Sequence, residues 1–232
     1  MTRTSAIPRS RNIKVAAPKK RLSLREMAYD AIKRQIVACD LKPGEALTVS
    51  DLSTALDIGR TPVFQAIDRL TIEGLVKVMP RKGIVVSPIS IDDFVAIIEM
   101  RLLNETQAAR WASERAGSSE IDRMEGNLDA IWVAAKGGNI SDFIDLDREF
   151  HRLIARASRN SVLSEFLAGL HDKSLRFWFI SLRAPDHNFR VCEQHAAILE
   201  GIRNRDPKAA EKAMRDHISS FRANATKQIL GS

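Results

Sequence analysis

Apolar residues recur at helical spacing from residue 23 onward, which predicts a first helix. The segment Ser23 to Glu26 reads Ser-Leu-Arg-Glu, so a hydroxyl at the N-cap is followed three residues later by a carboxylate, as in a capping box. The face expected to be buried consists of Met27, Ala28, Ala31, Ile32, Gln35 and Ile36. Because Pro43 and Gly44 force a turn, this helix ends before Leu41.

Two further apolar patterns, separated by a break at residues 57–59, predict a helix-turn-helix. A short helix follows Thr48, which is a suitable N-cap residue. The second helix covers Arg60 to Ile72 and tolerates Pro62, because amides in the first turn have no partner within the helix. In this motif the N-terminal residues of the second helix contact base edges in the major groove of DNA.

Two strand-like segments follow the second helix. They are Leu75 to Met79 and Ile84 to Ser87, and the turn between them contains Arg81 and Lys82. The pair predicts a β-hairpin wing with two cations at its tip. Residues 22–90 are therefore expected to form a winged helix-turn-helix domain that binds DNA.

Strand signals disappear from residue 91 onward, and long amphipathic segments replace them. The predicted helices are Ile91 to Ala116, Glu120 to Lys136, Ile140 to Ala157, Ser161 to Leu182, Phe189 to Asn204 and Pro207 to Leu230. Asp206 and Pro207 mark the start of the last helix, because they suit the N-cap and the first helical position. The fold class is therefore mainly α, with an all-helical bundle over residues 91–232.

The composition is typical of a globular protein without a membrane span. The chain has 232 residues, enough for two domains, and 44% of them are hydrophobic. No apolar run approaches the roughly 20 residues that cross a bilayer, and the basic N-terminus lacks the apolar segment of a secretory signal, so a cytoplasmic location is expected. Cys39 and Cys192 fall in different predicted domains and are expected to be reduced thiols.

The net charge of +7 is concentrated in residues 1–21, which contain seven cations and no acid. A segment of this composition, without apolar periodicity, is expected to be a disordered arm. Its cations either release counterions from a phosphate backbone or serve as a solubilising tail. Charge alone does not decide between these two roles.

Seven short motifs between residues 41 and 85 carry a family resemblance. They are Leu41-Lys-Pro-Gly44, Leu52-Ser-Thr-Ala-Leu56, Gly59-Arg-Thr-Pro-Val63, Gln65-Ala-Ile67, Arg69-Leu70, Glu73-Gly-Leu75 and Gly83-Ile-Val85. Together they closely resemble the winged helix of the GntR family. The resemblance implies that Arg60 and Thr61 contact DNA and that Gly83 approaches the minor groove.

Four further residues complete the predicted DNA-binding surface. Gln65 and Arg69 lie on the recognition helix, and Arg81 and Lys82 lie at the wing tip. Arg60 and Arg69 could instead form ion pairs on the protein surface, without contacting DNA.

The chain departs from the family pattern at two positions near the recognition helix. Phe64 stands where arginine is usual, and Ser50 stands where a basic or polar contact residue is common. A guanidinium is the side chain best suited to bidentate recognition of guanine. Its loss indicates that the operator differs from the one usual in the family.

Three histidines in the second half occupy positions where the helical period requires an apolar residue. His151 follows Asp147 by four residues on the third helix of the bundle, His195 lies on the fifth and His217 on the last. A buried Asp is costly unless it is paired or binds a metal, and bundles often build metal sites from inward polar groups. These four residues are predicted to bind a divalent ion of Zn, Ni, Mn or Fe. The alternative for each histidine is a core residue satisfied by a neighbouring carbonyl.

Segments of the second half carry another resemblance. They are Asp147 to Ile154, Ala157 to Asn160, His195 to Ile202 and Asp206 to His217. They are similar to the FCD domain of the fatty-acid-regulator branch of the GntR family, whose metal-binding members have an Asp, a His four residues later and two further His. The resemblance also implies a small carboxylate effector held by the metal and by nearby polar groups.

Arg101 matches a family arginine that can face the effector cavity, and it is the predicted effector-binding residue. It could equally lie on the helix surface or at an interface. His171, whose face is ambiguous, and His187, which is expected in a loop, are excluded from the predicted site.

These features predict a homodimeric transcriptional repressor that binds a two-fold symmetric double-stranded DNA operator and responds to a small carboxylate. One alternative is a direct metal sensor, in which the ion itself is the signal. Another is a metal-dependent enzyme, because an ion held by three His and an Asp with a free position could activate water. No general base or nucleophile stands out to support the enzyme.

Overall fold

A computed structural model describes residues 22–80, 83–88, 90–181 and 185–230. The basic arm and the wing-tip residues Arg81 and Lys82 lie outside the described residues. The elements of the N-terminal part are α1 (Leu24–Val37), β1 (Ala46–Leu47), α2 (Val49–Leu56), α3 (Arg60–Ile72), β2 (Val76–Met79) and β3 (Gly83–Val86). Those of the C-terminal part are α4 (Ile91–Arg115), α5 (Ser118–Gly137), α6 (Ile140–Ala157), α7 (Ser161–Ser181), α8 (Pro185–Arg203) and α9 (Pro207–Leu230). The fold is mainly α with a small sheet, as predicted.

Helix α1 begins with the predicted capping box. The Ser23 hydroxyl accepts a hydrogen bond from the Glu26 amide at 3.2 Å, and the Glu26 carboxylate accepts one from the Ser23 amide at 2.8 Å. The predicted buried face was wrong in part, because Met27 is 46% exposed whereas Tyr29 and Lys33 are buried. Both polar residues tolerate burial because their polar atoms have partners on neighbouring helices.

The helix-turn-helix forms as the sequence predicts. Thr48 caps α2 by accepting a hydrogen bond from the Asp51 amide at 3.1 Å. The helix ends at Asp57, whose φ of 51° is left-handed, a conformation that Asp tolerates better than most residues. Helix α3 then starts at Arg60, with Pro62 in its first turn. The buried face of α3 consists of Val63, Ala66, Ile67 and Leu70.

The wing is part of a three-stranded antiparallel sheet in the order β1-β3-β2. Met79 pairs with Gly83 at the closed end of the hairpin, and Leu47 of β1 pairs with Ile84. The hairpin confirms the predicted wing. Strand β1 was not predicted, because two residues are too short to show an alternating pattern.

The helices of the C-terminal part follow the predicted pattern closely. The predicted limits of α6 and α9 are confirmed, but α8 begins at Pro185 and not at Phe189. Proline suits the first position of a helix, where its missing amide hydrogen costs nothing. His187 is consequently a buried helical residue, and its predicted place in a loop was wrong.

Two clusters of buried apolar side chains lie within the described residues. One joins α1, α2, α3 and the sheet, and the other fills the bundle of α4 to α9. Val37, at the end of α1, belongs to the second cluster, so α1 packs on both. None of the described helices is long and apolar enough to cross a membrane.

Candidate metal centre and nucleic-acid interface

The four predicted metal ligands meet in the interior of the bundle. Asp147 and His151 lie one turn apart on α6, His195 lies on α8 and His217 on α9. Each of the four is at most 5% exposed. One potential ligand atom from each residue lies within 4.8 Å of the other three. The structure therefore brings together the whole predicted set.

Helix α6 directs its two ligands inward because they interrupt a largely apolar face. Phe143, Phe150 and Ile154 share that face, and none of them is more than 1% exposed. The Phe150 ring also stacks on the His195 imidazole, with 4.3 Å between their centroids. Apolar packing thus fixes the orientation of a ring that comes from another helix.

Two imidazoles have an oxygen atom close to Nδ1. His151 Nδ1 lies 2.6 Å from Glu105 Oε2, and His217 Nδ1 lies 3.1 Å from Gln194 Oε1. The Gln194 oxygen is an acceptor, so Nδ1 of His217 donates to it, whereas the Glu105 carboxylate contacts Nδ1 of His151 at ion-pair distance without a hydrogen bond. In a neutral imidazole, a protonated Nδ1 leaves a lone pair on Nε2. The two Nε2 atoms face each other at 3.2 Å, so this contact requires either a proton on one of them or a metal ion between them.

The other two ligands have the same unsatisfied character. His195 Nε2 lies 3.3 Å from Asp147 Oδ1, yet neither nitrogen of His195 forms a hydrogen bond with any described residue. Ligand atoms bound to one tetrahedral zinc ion at about 2.1 Å are about 3.4 Å apart. The observed separations of 3.2 and 3.3 Å therefore suit a shared metal ion.

The electrostatic setting keeps the ligands ready for a cation. Burial, with a further contribution from neighbouring rings, lowers the pKa of His195 and His217 well below its usual range, so both are neutral at pH 7. Burial also raises the pKa of Asp147 to about 6. A cation at the centre would favour the ionised carboxylate and compensate its burial.

Glu105 lies beside this cluster and was not predicted. It forms a buried ion pair with Arg101, and its Oε1 lies 3.1 Å from Nε2 of His171. Burial would raise the pKa of Glu105, but Arg101 and the rings of His151 and His171 outweigh it and hold that pKa well below its usual range. Burial lowers the pKa of His171 to about 4. The charged Glu105 carboxylate therefore orients the ring of His151, a predicted metal ligand, by contacting its Nδ1 atom.

The helical period does contain a signal for Glu105 and His171, the two missed residues, as it does for the predicted Arg101. Arg101 and Glu105 continue the buried face of α4, whose apolar members are Phe94, Ile98, Ala108 and Ala112. His171 likewise lies four residues after the buried Leu167 on α7. Reading these polar residues as members of the buried faces would have placed them in the site.

Arg101 is fully buried, which excludes the helix-surface alternative. Its Nη1 and Nη2 atoms have no hydrogen-bond partner among the described residues. Its guanidinium carbon lies 5.1 Å from the ring centroids of both Trp178 and Phe221. A small cavity beside it is lined by Arg101, Asp147, Trp178, His187, Val191, His217 and Phe221. The cavity thus joins the two unpartnered terminal nitrogens of Arg101 to two of the predicted metal ligands.

The predicted DNA-contacting residues of α3 lie on its outer face. Arg60, Thr61 and Gln65 are exposed, and Phe64 is 55% exposed among them. Arg60 Nη2 lies 3.3 Å from the hydroxyl of Ser50 on α2. Arg60 forms no ion pair with any described residue, so its guanidinium is available to a phosphate or a base edge.

Arg69 and Gly83 have different surroundings. Arg69 Nε lies 3.2 Å from Glu73 Oε1, and its guanidinium carbon lies 3.6 Å from the centroid of the Tyr29 ring. The surface ion pair considered for Arg69 is therefore formed, and its contact with DNA stays a prediction. Gly83 has a φ of 74°, and an added Cβ would lie 3.4 Å from the carbonyl oxygen of Leu47. The positive φ in the turn of the wing explains why a glycine occupies this position.

Comparison with known sequences identifies both parts of the chain. Residues 24–86 match the bacterial regulatory proteins of the gntR family, and residues 96–220 match the FCD domain. The second match alone covers more than half of the chain. The chain belongs to the GntR family.

Curated transcriptional repressors resemble the chain over most of its length. The HTH-type transcriptional repressor RspR of Escherichia coli K12 is 26% identical over 204 residues, which cover 88% of this chain and 89% of the relative. The HTH-type transcriptional repressor NanR of Cronobacter sakazakii is 29% identical over 229 residues, which cover 88% and 85%. The family and these relatives mark the chain as a transcriptional regulator and not an enzyme.

Solved structures support the fold. Escherichia coli McbR/YncC has a TM-score of 0.78 at 20% identity and covers 90% of this chain and 100% of its own. A GntR regulator from Rhodococcus sp. RHA1 has a TM-score of 0.73 at 18% identity and covers 90% and 98%. These likenesses show that solved structures share the fold of the chain, a winged helix followed by a helical bundle.

Proposed function

We propose that this GntR-family chain is a homodimeric repressor whose binding to a double-stranded DNA operator is controlled by a small carboxylate at a metal site. The observation that carries the proposal is the buried set of Asp147, His151, His195 and His217 beside Arg101, whose terminal nitrogens lack described partners. The names of the relatives RspR and NanR, both repressors, support repression. DNA as the partner supports a cytoplasmic location.

The proposed function assigns a separate role to each of three successive segments of the chain. The basic arm of residues 1–21 precedes a DNA-binding domain at 22–90, and residues 91–232 bind the effector and dimerise. Exposed Leu103 on α4 and Val162 on α7, 69% and 77% exposed, offer apolar surface for a second copy. Light scattering should give a molar mass of twice 25.9 kDa, and a mass of one chain at micromolar concentration would contradict the homodimer.

In the proposed complex, Arg60, Thr61 and Gln65 read the major groove, and the wing carries Arg81 and Lys82 to the DNA backbone. The Arg60→Ala variant should lose about 1–3 kcal/mol of operator binding if the guanidinium makes a bidentate base contact. The operator is first enriched from a random DNA library with the native protein. Arg123→Ala, an exposed arginine on α5, is the control, and native affinity in Arg60→Ala would refute the assignment.

The proposed metal ligands are Nε2 of the three histidines and the carboxylate of Asp147. When bound, an ion of Zn, Ni, Mn or Fe would supply a Lewis-acidic position that attracts an anion. The chain's own contribution is to orient the rings. Glu105 lies against Nδ1 of His151 and Gln194 hydrogen-bonds Nδ1 of His217, an arrangement that would direct each Nε2 to the centre.

Metal analysis tests this assignment directly. Native protein should carry one ion per chain, and His195→Ala should carry none while the dimer stays intact, because a deeply buried ligand has been removed. His187→Ala is the matched control, since His187 lines the same cavity without belonging to the ligand set. Full occupancy in His195→Ala would exclude that residue from the site.

The proposed effector lies between the metal and Arg101, where a cavity of about 10 Å³ would have to open to admit a carboxylate. A guanidinium with two unpaired nitrogens can bind a carboxylate in bidentate fashion, and the rings of Trp178 and Phe221 would contact a short apolar portion. Among monocarboxylic and dicarboxylic acids, some should raise the melting temperature of the native protein by mass action. Arg101→Lys keeps the positive charge but loses the two parallel N–H donors, so the acids should no longer raise the melting temperature of this variant. An undiminished shift in Arg101→Lys would contradict the effector role.

A direct metal sensor is the second candidate. It is favoured by the ligand set, because four side chains of the chain complete a tetrahedral site without any effector. Zinc titrated against operator affinity without an organic acid separates the two functions. Graded control by zinc alone would support the sensor, whereas saturation without any change in affinity would support carboxylate control.

A further inference from the structure

A polar cluster joins the recognition helix to the bundle, and Lys33 of α1 lies at its centre. Lys33 Nζ lies 2.9 Å from Glu73 Oε2 at the end of α3 and 3.1 Å from Asp172 Oδ2 on α7. It also donates to the hydroxyl of Tyr29 at 2.8 Å. The Lys33 side chain is only 11% exposed, so solvent screens these pairs weakly.

The two carboxylate oxygens of Asp172 contact different parts of the molecule. Its Oδ2 faces Lys33, and its Oδ1 accepts from Arg148 of α6 and lies 3.9 Å from Nη2 of Arg152. Among the described residues, the pair of Lys33 and Asp172 is the one ion pair between residues 22–88 and the bundle. This carboxylate is therefore the electrostatic link between them.

The link continues to the metal centre through the neighbouring residue. His171 precedes Asp172 on α7 and points into the bundle, where its Nε2 lies 3.1 Å from Glu105 Oε1. The other oxygen of Glu105 lies 2.6 Å from Nδ1 of His151. The Glu105 carboxylate therefore lies in direct contact with both the His151 ring and His171 of α7.

The opposite end of the link reaches the recognition helix. Glu73 follows the last residue of α3 as its C-cap. Its carboxylate accepts from Tyr29 at 2.7 Å and from Nε of Arg69 at 3.2 Å, besides Lys33. The end of α3 is thus held by the same lysine that contacts Asp172.

We propose that Asp172 is the positioning residue that couples the metal centre to the recognition helix. The coupling rests on the proposed metal function, because the ion is what fixes His151 and, through Glu105 and His171, the position of α7. Spatial proximity alone does not establish coupling. Coupling requires that binding at one end changes the free energy of opening at the other.

Amide hydrogen exchange measures this coupling without a known operator. Zinc alone is added to chelator-treated full-length protein, and exchange is followed by mass spectrometry in α1, α3 and the bundle helices. In the native chain zinc should slow exchange in the bundle and also in α1 and α3. In Asp172→Asn, zinc should still slow exchange in the bundle, but the effect on α1 and α3 should disappear.

The variants isolate the link from general stability. Asp172→Asn preserves shape and leaves Lys33 paired with Glu73, and Asp172→Glu should restore part of the effect. Asp216→Asn breaks an exposed pair with Lys212 within α9 and should behave as the native chain. Undiminished protection of α1 and α3 in Asp172→Asn would overturn the proposal, as would zinc that protects the bundle of the native chain but not α1 and α3.

A failure of the metal function gives a different result. If zinc protects no amide of the native chain, the metal proposal fails. The link is then tested without metal, because Asp172→Asn should exchange faster than the native chain in α1. Equal exchange rates in the two metal-free proteins would also overturn the proposed link.

Discussion

Glu105 is the residue on which the buried charges of the bundle converge. It contacts Arg101, His151 and His171, and all four side chains are nearly inaccessible to solvent. A carboxylate in this place compensates a guanidinium that could not otherwise be buried. Its role is therefore structural as well as electrostatic.

The Glu105→Gln variant tests this compensation. Removing the negative charge leaves Arg101 buried without a counter-ion, which should lower the free energy of unfolding by about 3 kcal/mol or more. Urea unfolding monitored by circular dichroism measures the change. Glu114→Gln, which alters an exposed pair with Arg110 on the same helix, should change stability by less than about 1 kcal/mol. Equal effects of the two substitutions would contradict the assigned role.

Gln194 provides a graded test at the metal centre. It holds the Nδ1 proton of His217 at 3.1 Å, so Gln194→Ala should weaken zinc binding about 10-fold to 100-fold without abolishing it. His217→Ala removes the ligand itself and should abolish binding. Competition with a chromophoric chelator gives both constants, and unchanged affinity in Gln194→Ala would show that the ring needs no such support.

At this scale the sequence predicts some residues well and others not at all. Asp147 and His151 are predictable because a polar residue on an apolar face leaves a periodic signal. Gln194 is only half buried, so its position carries no such signal. The stacking of Arg69 on Tyr29 depends on how two helices pack, which no local pattern specifies.

Among the helices, α8 and α9 make an unusually close approach. A Cβ added to Gly201 would lie 2.6 Å from the backbone nitrogen of Ala210, a distance that real Cβ atoms do not tolerate. The two helices carry His195 and His217. Their separation at Gly201 therefore also determines how far apart these two ligands lie.

Substitution at Gly201 should reveal this constraint. Gly201→Ala should destabilise the protein by about 1–3 kcal/mol through overpacking and should weaken zinc binding as α8 and α9 separate. Gly126→Ala is the matched control on α5, where no atom lies within 4 Å of the added Cβ. It should stabilise by about 0.5–1 kcal/mol. Thermal unfolding of both variants checks the prediction, which fails if Gly201→Ala is neutral.

Element limits are predictable where capping residues define them. Asn139 caps α6 and Asp206 precedes α9, with side-chain oxygens that accept from nearby amides, and both predicted starts are confirmed. The start of α8 was missed because Pro185 was taken as part of a loop. Strand β1 exists because β3 offers it a hydrogen-bonding edge, which is a property of the tertiary fold.

For the molecule as a whole, metal binding should raise the free energy of unfolding and the melting temperature. A ligand present at 100 times its Kd stabilises by about 2.7 kcal/mol, which corresponds to a rise in melting temperature of about 5–10 °C for a chain of this size. Scanning calorimetry of chelator-treated and zinc-loaded protein measures the shift. His195→Ala should melt at the same temperature with and without zinc, and a shift of native size in that variant would contradict the site.

The depth of the proposed metal centre also limits how fast a bound ion can dissociate. Since no ligand is more than 5% exposed, a chelator cannot reach a bound ion until the bundle opens locally. The dissociation rate should therefore reach a plateau as the chelator concentration rises, and that plateau should equal the opening rate of the bundle. An ion that exchanges this slowly would be a permanent component of the protein, so the signal in the proposed function would come from the carboxylate and not from the ion.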